Sequence, residues 1–101
     1  MGKRQNPEVR KDAIMQTALS QAEKIGYNRV TREVVAKHVP CAPSLVSHYW
    51  GTVEQLQKSI LREAVKSKNL KIIAQGLVSR SPITRRVPME IKQAALQTLT
   101  A

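Results

Sequence analysis

The stretch TREVVAKHVPCAPSLVSHYW, Thr31 to Trp50, decides how this chain is read. Val35, Ala36 and Val39 recur at the spacing of one helical face, and Thr31 precedes them as a hydroxyl that can accept an orphan backbone N–H. Pro40 ends that helix, because proline has no N–H to donate and clashes with the preceding turn. Ala42-Pro43 opens the next helix, with proline where a missing N–H does no harm. Val46, Tyr49 and Trp50 share its inner side, which leaves Ser44, Leu45, Ser47 and His48 outside. The whole stretch reads as two short helices joined by a tight turn at Val39-Pro40-Cys41.

The helical pattern continues on both sides. Asn6-Pro7-Glu8 is a start signal: a cap, a proline in the first turn and an early acid. Ile14, Ala18, Ala22 and Ile25 then fall on one apolar face, and Gly26 stops this first helix where a left-handed residue is wanted. Gly51 breaks the chain after Trp50, and Thr52-Val53-Glu54-Gln55 has the form of a capping box. It starts a fourth helix whose apolar side is Leu56, Ile60, Leu61 and Ala64. That helix either ends at Asn69 or runs on through Leu70, Ile73, Ala74 and Leu77. Ser79 to Val87, with Ser81-Pro82 and Arg85-Arg86, reads as a loop. Pro88-Met89-Glu90 starts a last short helix with the apolar stripe Ile91, Ala95, Leu96 and Leu99. The expected fold is a small all-α domain. Residues 1–68 form the helix-turn-helix unit. Residues 69–101 form a C-terminal helical extension that acts as a clamp and dimerises through Ile91, Ala95, Leu96 and Leu99.

The chain has 101 residues, which suits one domain with a thin core. Seventeen Lys and Arg stand against seven Asp and Glu, a formal net charge of +10. Such an excess attracts nucleic acid, an anionic membrane or an acidic protein. The bases are dispersed, as on a folded basic surface, except at Lys3-Arg4. No apolar run is long enough to span a bilayer, and the polar opening MGKRQNPEVR carries no secretory signal. A single cysteine makes no internal disulfide, so a cytoplasmic, nucleoid-associated protein is expected. Phe is absent and aromatics are scarce, which argues against an RNA-recognition sheet built on stacked bases. Cys41 with His38 and His48 lacks a carboxylate partner and reads as a small turn residue. No enzyme, metal or cofactor is expected.

A helix-turn-helix lays its second helix in the major groove, so Ser44, Leu45, Ser47 and His48 are the candidate base- and phosphate-contacting residues. Leu45 suits a thymine methyl, and the hydroxyls and imidazole suit base edges or phosphates. The N-termini of the second and fourth helices offer free N–H groups to phosphates. Arg32 stands in the first turn of the second helix against the dipole preference, a placement that suits a phosphate partner. Lys3 and Arg4 precede the first helix and suit a minor-groove or phosphate contact. Lys66, Lys68 and Lys71 read as a solvated face, and Trp50 as core.

The segment from about Arg10 to Ala64 resembles the DNA-binding domain of the TetR (tetracycline-repressor) family. Ile14, Ala18 and Gly26-Tyr27 match that family's first helix and its Gly-Tyr stop. Thr31 and Val35-Ala36-Lys37 match T-x-x-x-I-A-K, His48-Tyr49-Trp50 match the close of Y-H-Y-F, and Thr52 through Leu56 match S-K-E-E-L. The resemblance implies DNA contacts at Thr31, His48, Tyr49 and Thr52, and Pro43, where the second of the two helices opens, is a further candidate contact. The chain departs from the pattern at four places: Pro40 for the turn glycine, Ala42 for the serine cap, Ser47 for a tyrosine and Val53 for a lysine. The family's ligand-binding domain has no room after the fourth helix, where a cavity of several hundred cubic ångströms would be needed. No small-molecule effector is therefore expected, and so compact a unit suits a phage or plasmid. These readings converge on a dimeric repressor that binds an inverted-repeat operator in double-stranded DNA. Charge alone also fits a non-specific, nucleoid-like DNA coater or a basic protein-interaction module of the anti-host kind.

Overall fold

The computed structural model describes residues 6–100, which form seven α-helices and one 3₁₀ turn, with no strand among them. They are α1 (Pro7–Ile25), the turn Tyr27–Arg29, α2 (Arg32–His38), α3 (Pro43–Trp50) and α4 (Val53–Ser67), then α5 (Leu70–Val78), α6 (Pro82–Arg85) and α7 (Met89–Gln97). The fold is all-α. It measures 49 × 24 × 21 Å along its principal axes.

Local side chains start most of these helices. Asn6 Oδ1 accepts from the Glu8 N–H at 2.8 Å, with Pro7 in the first turn of α1. Thr31 Oγ1 accepts from the Val34 N–H at 3.2 Å. Thr52 and Gln55 form a complete capping box, with bonds of 3.1 and 2.9 Å. Each such cap is worth about 1 kcal/mol. Gly26 ends α1 with φ of 95° and its N–H on the Ala22 carbonyl.

The boundary left open at Asn69 is a break between helices. Lys68 turns left-handed at φ of 58°, and the N–H groups of Lys68 and Asn69 return to the carbonyls of Val65 and Ala64. Asn69 Oδ1 then caps α5 by accepting from Ile72. The expected loop from Ser79 to Val87 is corrected too. Ser81 Oγ accepts from the Ile83 N–H at 3.2 Å and starts α6, a single turn. Ser81-Pro82, read as a loop signal, is equally a cap followed by proline at the first helical position.

The core joins α1, α4 and α5. Ile14 and Met15 of α1, Leu56 and Ile60 of α4, and Ile72 and Ile73 of α5 are all buried. Full burial of one such side chain contributes about 2 kcal/mol. α1 packs against α2, α4 and α5 at once, so its buried face is wider than one stripe and takes in Met15 and Leu19. Ile25, expected on that face, is 39% exposed at the helix end. Val35 and Val46 are the buried anchors of α2 and α3.

In the C-terminal extension, α7 lies on α5, and α6 touches α4 and α5. α6 comes close because Gly76 has no side chain: a Cβ there would fall on Thr84. The apolar stripe of α7 divides. Ala95 is fully buried and Ile91 packs against the core, whereas Leu96 and Leu99 are exposed. Ala95 is therefore a core residue and is withdrawn from the expected dimer interface. Its small side chain lets α7 settle on α5. Gln75 of α5 ties the extension to the front of the molecule. Its Nε2 donates to the Ala22 carbonyl at 2.9 Å, and its Oε1 accepts from the Tyr27 N–H at 2.7 Å. Tyr27 Oη and Ser79 Oγ are 2.6 Å apart. Among the described residues no helix is long and apolar enough to cross a membrane.

Candidate nucleic-acid interface

α2 and α3 pack against each other around the turn at Val39-Pro40-Cys41, and three contacts fix their placement. Trp50 Nε1 donates to the Lys11 carbonyl at 3.1 Å, while Lys11 Nζ lies 4.8 Å from the Trp50 ring centre. This pins the end of α3 to α1, so Trp50 is structural. Gln57 Nε2 of α4 donates to the carbonyls of Asn28 and Val30, at 3.2 and 3.1 Å, and so holds the chain as it enters α2. Arg32 Nη1 donates to Ser47 Oγ at 2.8 Å and joins α2 directly to α3.

The last contact changes how two expected site residues are understood. Arg32 and Ser47 bond to each other, and Arg32 also lies 3.9 Å from its neighbour Glu33. Arg32 Nε is buried without a partner. Ser47 is half-buried, so its hydroxyl is committed within the fold. Both residues remain partly exposed while bonded to each other. Sequence reasoning missed this link because the two lie fifteen positions apart and meet only when the helices pack.

The outer face of α3 is narrower than expected. Pro43, Ser44 and His48 are exposed, and Leu45 and Tyr49 are half-buried. Ser44 and His48 stand one turn apart on the same side. The His48 ring meets Tyr49 edge-on, with centroids 5.1 Å apart and planes at 75°. That contact limits the directions in which the imidazole can point.

The three helix N-termini differ. α2 and α4 carry side-chain caps at Thr31 and Thr52 and acids at Glu33 and Glu54. α3 has neither a side-chain cap nor an acid in its first turn. The first turn of α2 pairs Glu33 with Arg32 and that of α4 holds Glu54, whereas no charged side chain stands in the first turn of α3. From Val34 to Val53 the chain has no Asp or Glu at all, and that run was the available signal.

Tyr49, Trp50, Gly51, Gln55, Lys58, Ser59 and Arg62 line an open groove of about 460 Å³ between α3 and α4. Lys58 and Arg62 are exposed, one turn apart on α4, with the exposed Glu54 a further turn before Lys58. Sequence reasoning passed over them; the cation pair at i and i+4 on the outer side of an amphipathic helix was the signal. Gly51 is required at the groove. Its φ is 81°, and a Cβ would collide with the Gln55 side chain that completes the capping box.

Lys3 and Arg4 lie outside the described residues. Cys41 is a half-buried free thiol. Among the described residues no group of three or more His, Cys, Asp or Glu is placed to hold a metal ion. Comparison of the chain with protein families, curated proteins and solved structures found no match.

Proposed function

We propose that this chain is a homodimeric, sequence-specific regulator of transcription that binds double-stranded DNA, acting as a repressor by occluding a promoter. α3 enters the major groove and presents Ser44 and His48 to base edges, with Leu45 at the edge of the contact. The N-terminus of α3 and the cations Lys58 and Arg62 receive backbone phosphates, and Arg32 and Ser47 hold α3 at its angle. The observation that carries this reading is the exposed, acid-free outer face of α3, fixed from behind by Trp50 and Arg32. Resemblance of residues 10–64 to the TetR-family DNA-binding domain supports it, as does the net charge of +10.

The dimer face is drawn from the side chains left exposed on the extension: Val78, Met89, Leu96 and Leu99. Met89 and Leu96 are seven residues apart, two turns on one side of α7 and roughly 100–120° around the helix from the buried Ala95. Two copies joined there give each dimer two recognition helices, and linked contacts raise affinity over a single half-site. Selection from a pool of randomised duplexes tests the proposal. The expected product is an inverted repeat whose half-sites lie about one helical turn apart, ~34 Å. A pool that emerges without a shared motif would contradict it and favour the non-specific coater.

A further inference from the structure

We propose that the recess between the C-terminal end of α5, α6 and α7 binds a small organic anion, a carboxylate or phosphate monoester carrying a short apolar tail. Leu77, Arg80, Ser81, Thr84, Arg85 and Lys92 line it, and its volume is about 270 Å³. Three of these six residues are cations and none is an acid. Among the described residues no carboxylate forms an ion pair with Arg80, Arg85 or Lys92. Three like charges around one small hollow repel each other, and an anion between them removes that repulsion.

The backbone sets where Arg80 stands. Arg80 has φ of 61° and closes α5, with its N–H on the Leu77 carbonyl and the Ser81 N–H on the Gly76 carbonyl. This paired closure usually places glycine where Arg80 stands, because a Cβ is disfavoured in left-handed backbone. Lys68 closes α4 in the same left-handed way, so this conformation is not itself a mark of a ligand; what it does is bring Arg80 to the rim of the recess. The sequence agrees: from Ala64 to Met89 there are six cations and no acid. The floor gives the rest of the ligand's character. Leu77 offers apolar surface between the charges, where a few methylene groups fit and a bare phosphate gains nothing, while Thr84 closes the floor from behind with its side chain buried against Gly76. Guanidinium groups at the rim suit the planar fork of a carboxylate or two oxygens of a phosphate.

The test uses the ¹⁵N-labelled full chain at about 0.1 M NaCl, without DNA, so its outcome is independent of the groove-reading proposal. Octanoate, inorganic phosphate and 1-octanol are titrated separately. Octanoate is expected to give saturable amide shifts confined to residues 76–86 and the neighbourhood of Lys92, with phosphate reaching the same residues more weakly. Arg85→Gln and Lys92→Gln should each weaken octanoate about tenfold, since each removes one charge-assisted bond. Arg85 is exposed and Lys92 half-buried, so both variants retain the fold, and unchanged spectral dispersion checks this. Octanol binding as tightly as octanoate, shifts scattered over the surface, or both variants binding like the unaltered chain would overturn the proposal.

Discussion

At Ser47 the hydroxyl serves the fold, and at Ser44, three residues away, it faces solvent. The two serines should therefore separate stability from recognition. Ser47→Ala removes the acceptor for Arg32, whose side chain is 41% exposed and can turn to water. Its cost is expected to be small, below about 1 kcal/mol in urea denaturation. Ser44→Ala should leave unfolding unchanged and weaken binding to the selected duplex by roughly 1–3 kcal/mol. Lys66→Ala, on the solvated face, should do little to either. Gly51 is the residue whose change does most harm locally. Gly51→Ala forces a Cβ into positive-φ backbone and against Gln55, and should lower stability by about 1–3 kcal/mol, read from the urea midpoint.

Helices in this chain are most legible where a local cap and a long apolar face coincide. Asn6, Thr31 and Thr52 cap as their neighbours in sequence foretell, and Leu56, Ile60, Leu61 and Ala64 fall on one face of α4 because that helix packs along its whole length. Reading failed where packing decides. α6 has four residues, too few for any periodicity, and exists because Thr84 can sit over Gly76. Ala95 looked like part of a surface stripe, yet its small size is what seats α7 on α5. Arg32 was legible as an oddly placed cation, but its bond to Ser47 needed both helices in position. At this scale the account predicts that Gly76→Ala, a substitution that favours an isolated helix, destabilises the protein by about 1–3 kcal/mol. Thr84 and Leu61 leave no room for the methyl group. A rise in melting temperature would refute the close packing of α5 and α6.

Across the whole molecule, cations outnumber acids and the acids are absent from two long runs, one on α3 and one on the extension. Charge of this kind favours polyanions in general, and the exposed Val78, Met89 and Leu96 on α5 and α7 are the face proposed for a second copy. Leu96→Lys, at a site 44% exposed, should leave the fold intact and shift the chain to monomer in sedimentation velocity. Binding to an inverted repeat would fall with it, and binding to one half-site would not. The central claim is that α3 discriminates between sequences and does not merely add charge. Its most direct measurement is a salt titration of the unaltered chain and Ser44→Ala against the selected duplex and a scrambled one. The account predicts that both duplexes weaken with salt along similar slopes, that the selected duplex keeps a preference of roughly a thousandfold or more near physiological salt, and that Ser44→Ala erodes this preference alone. Equal affinities for the two duplexes throughout the titration, unchanged by Ser44→Ala, would contradict it.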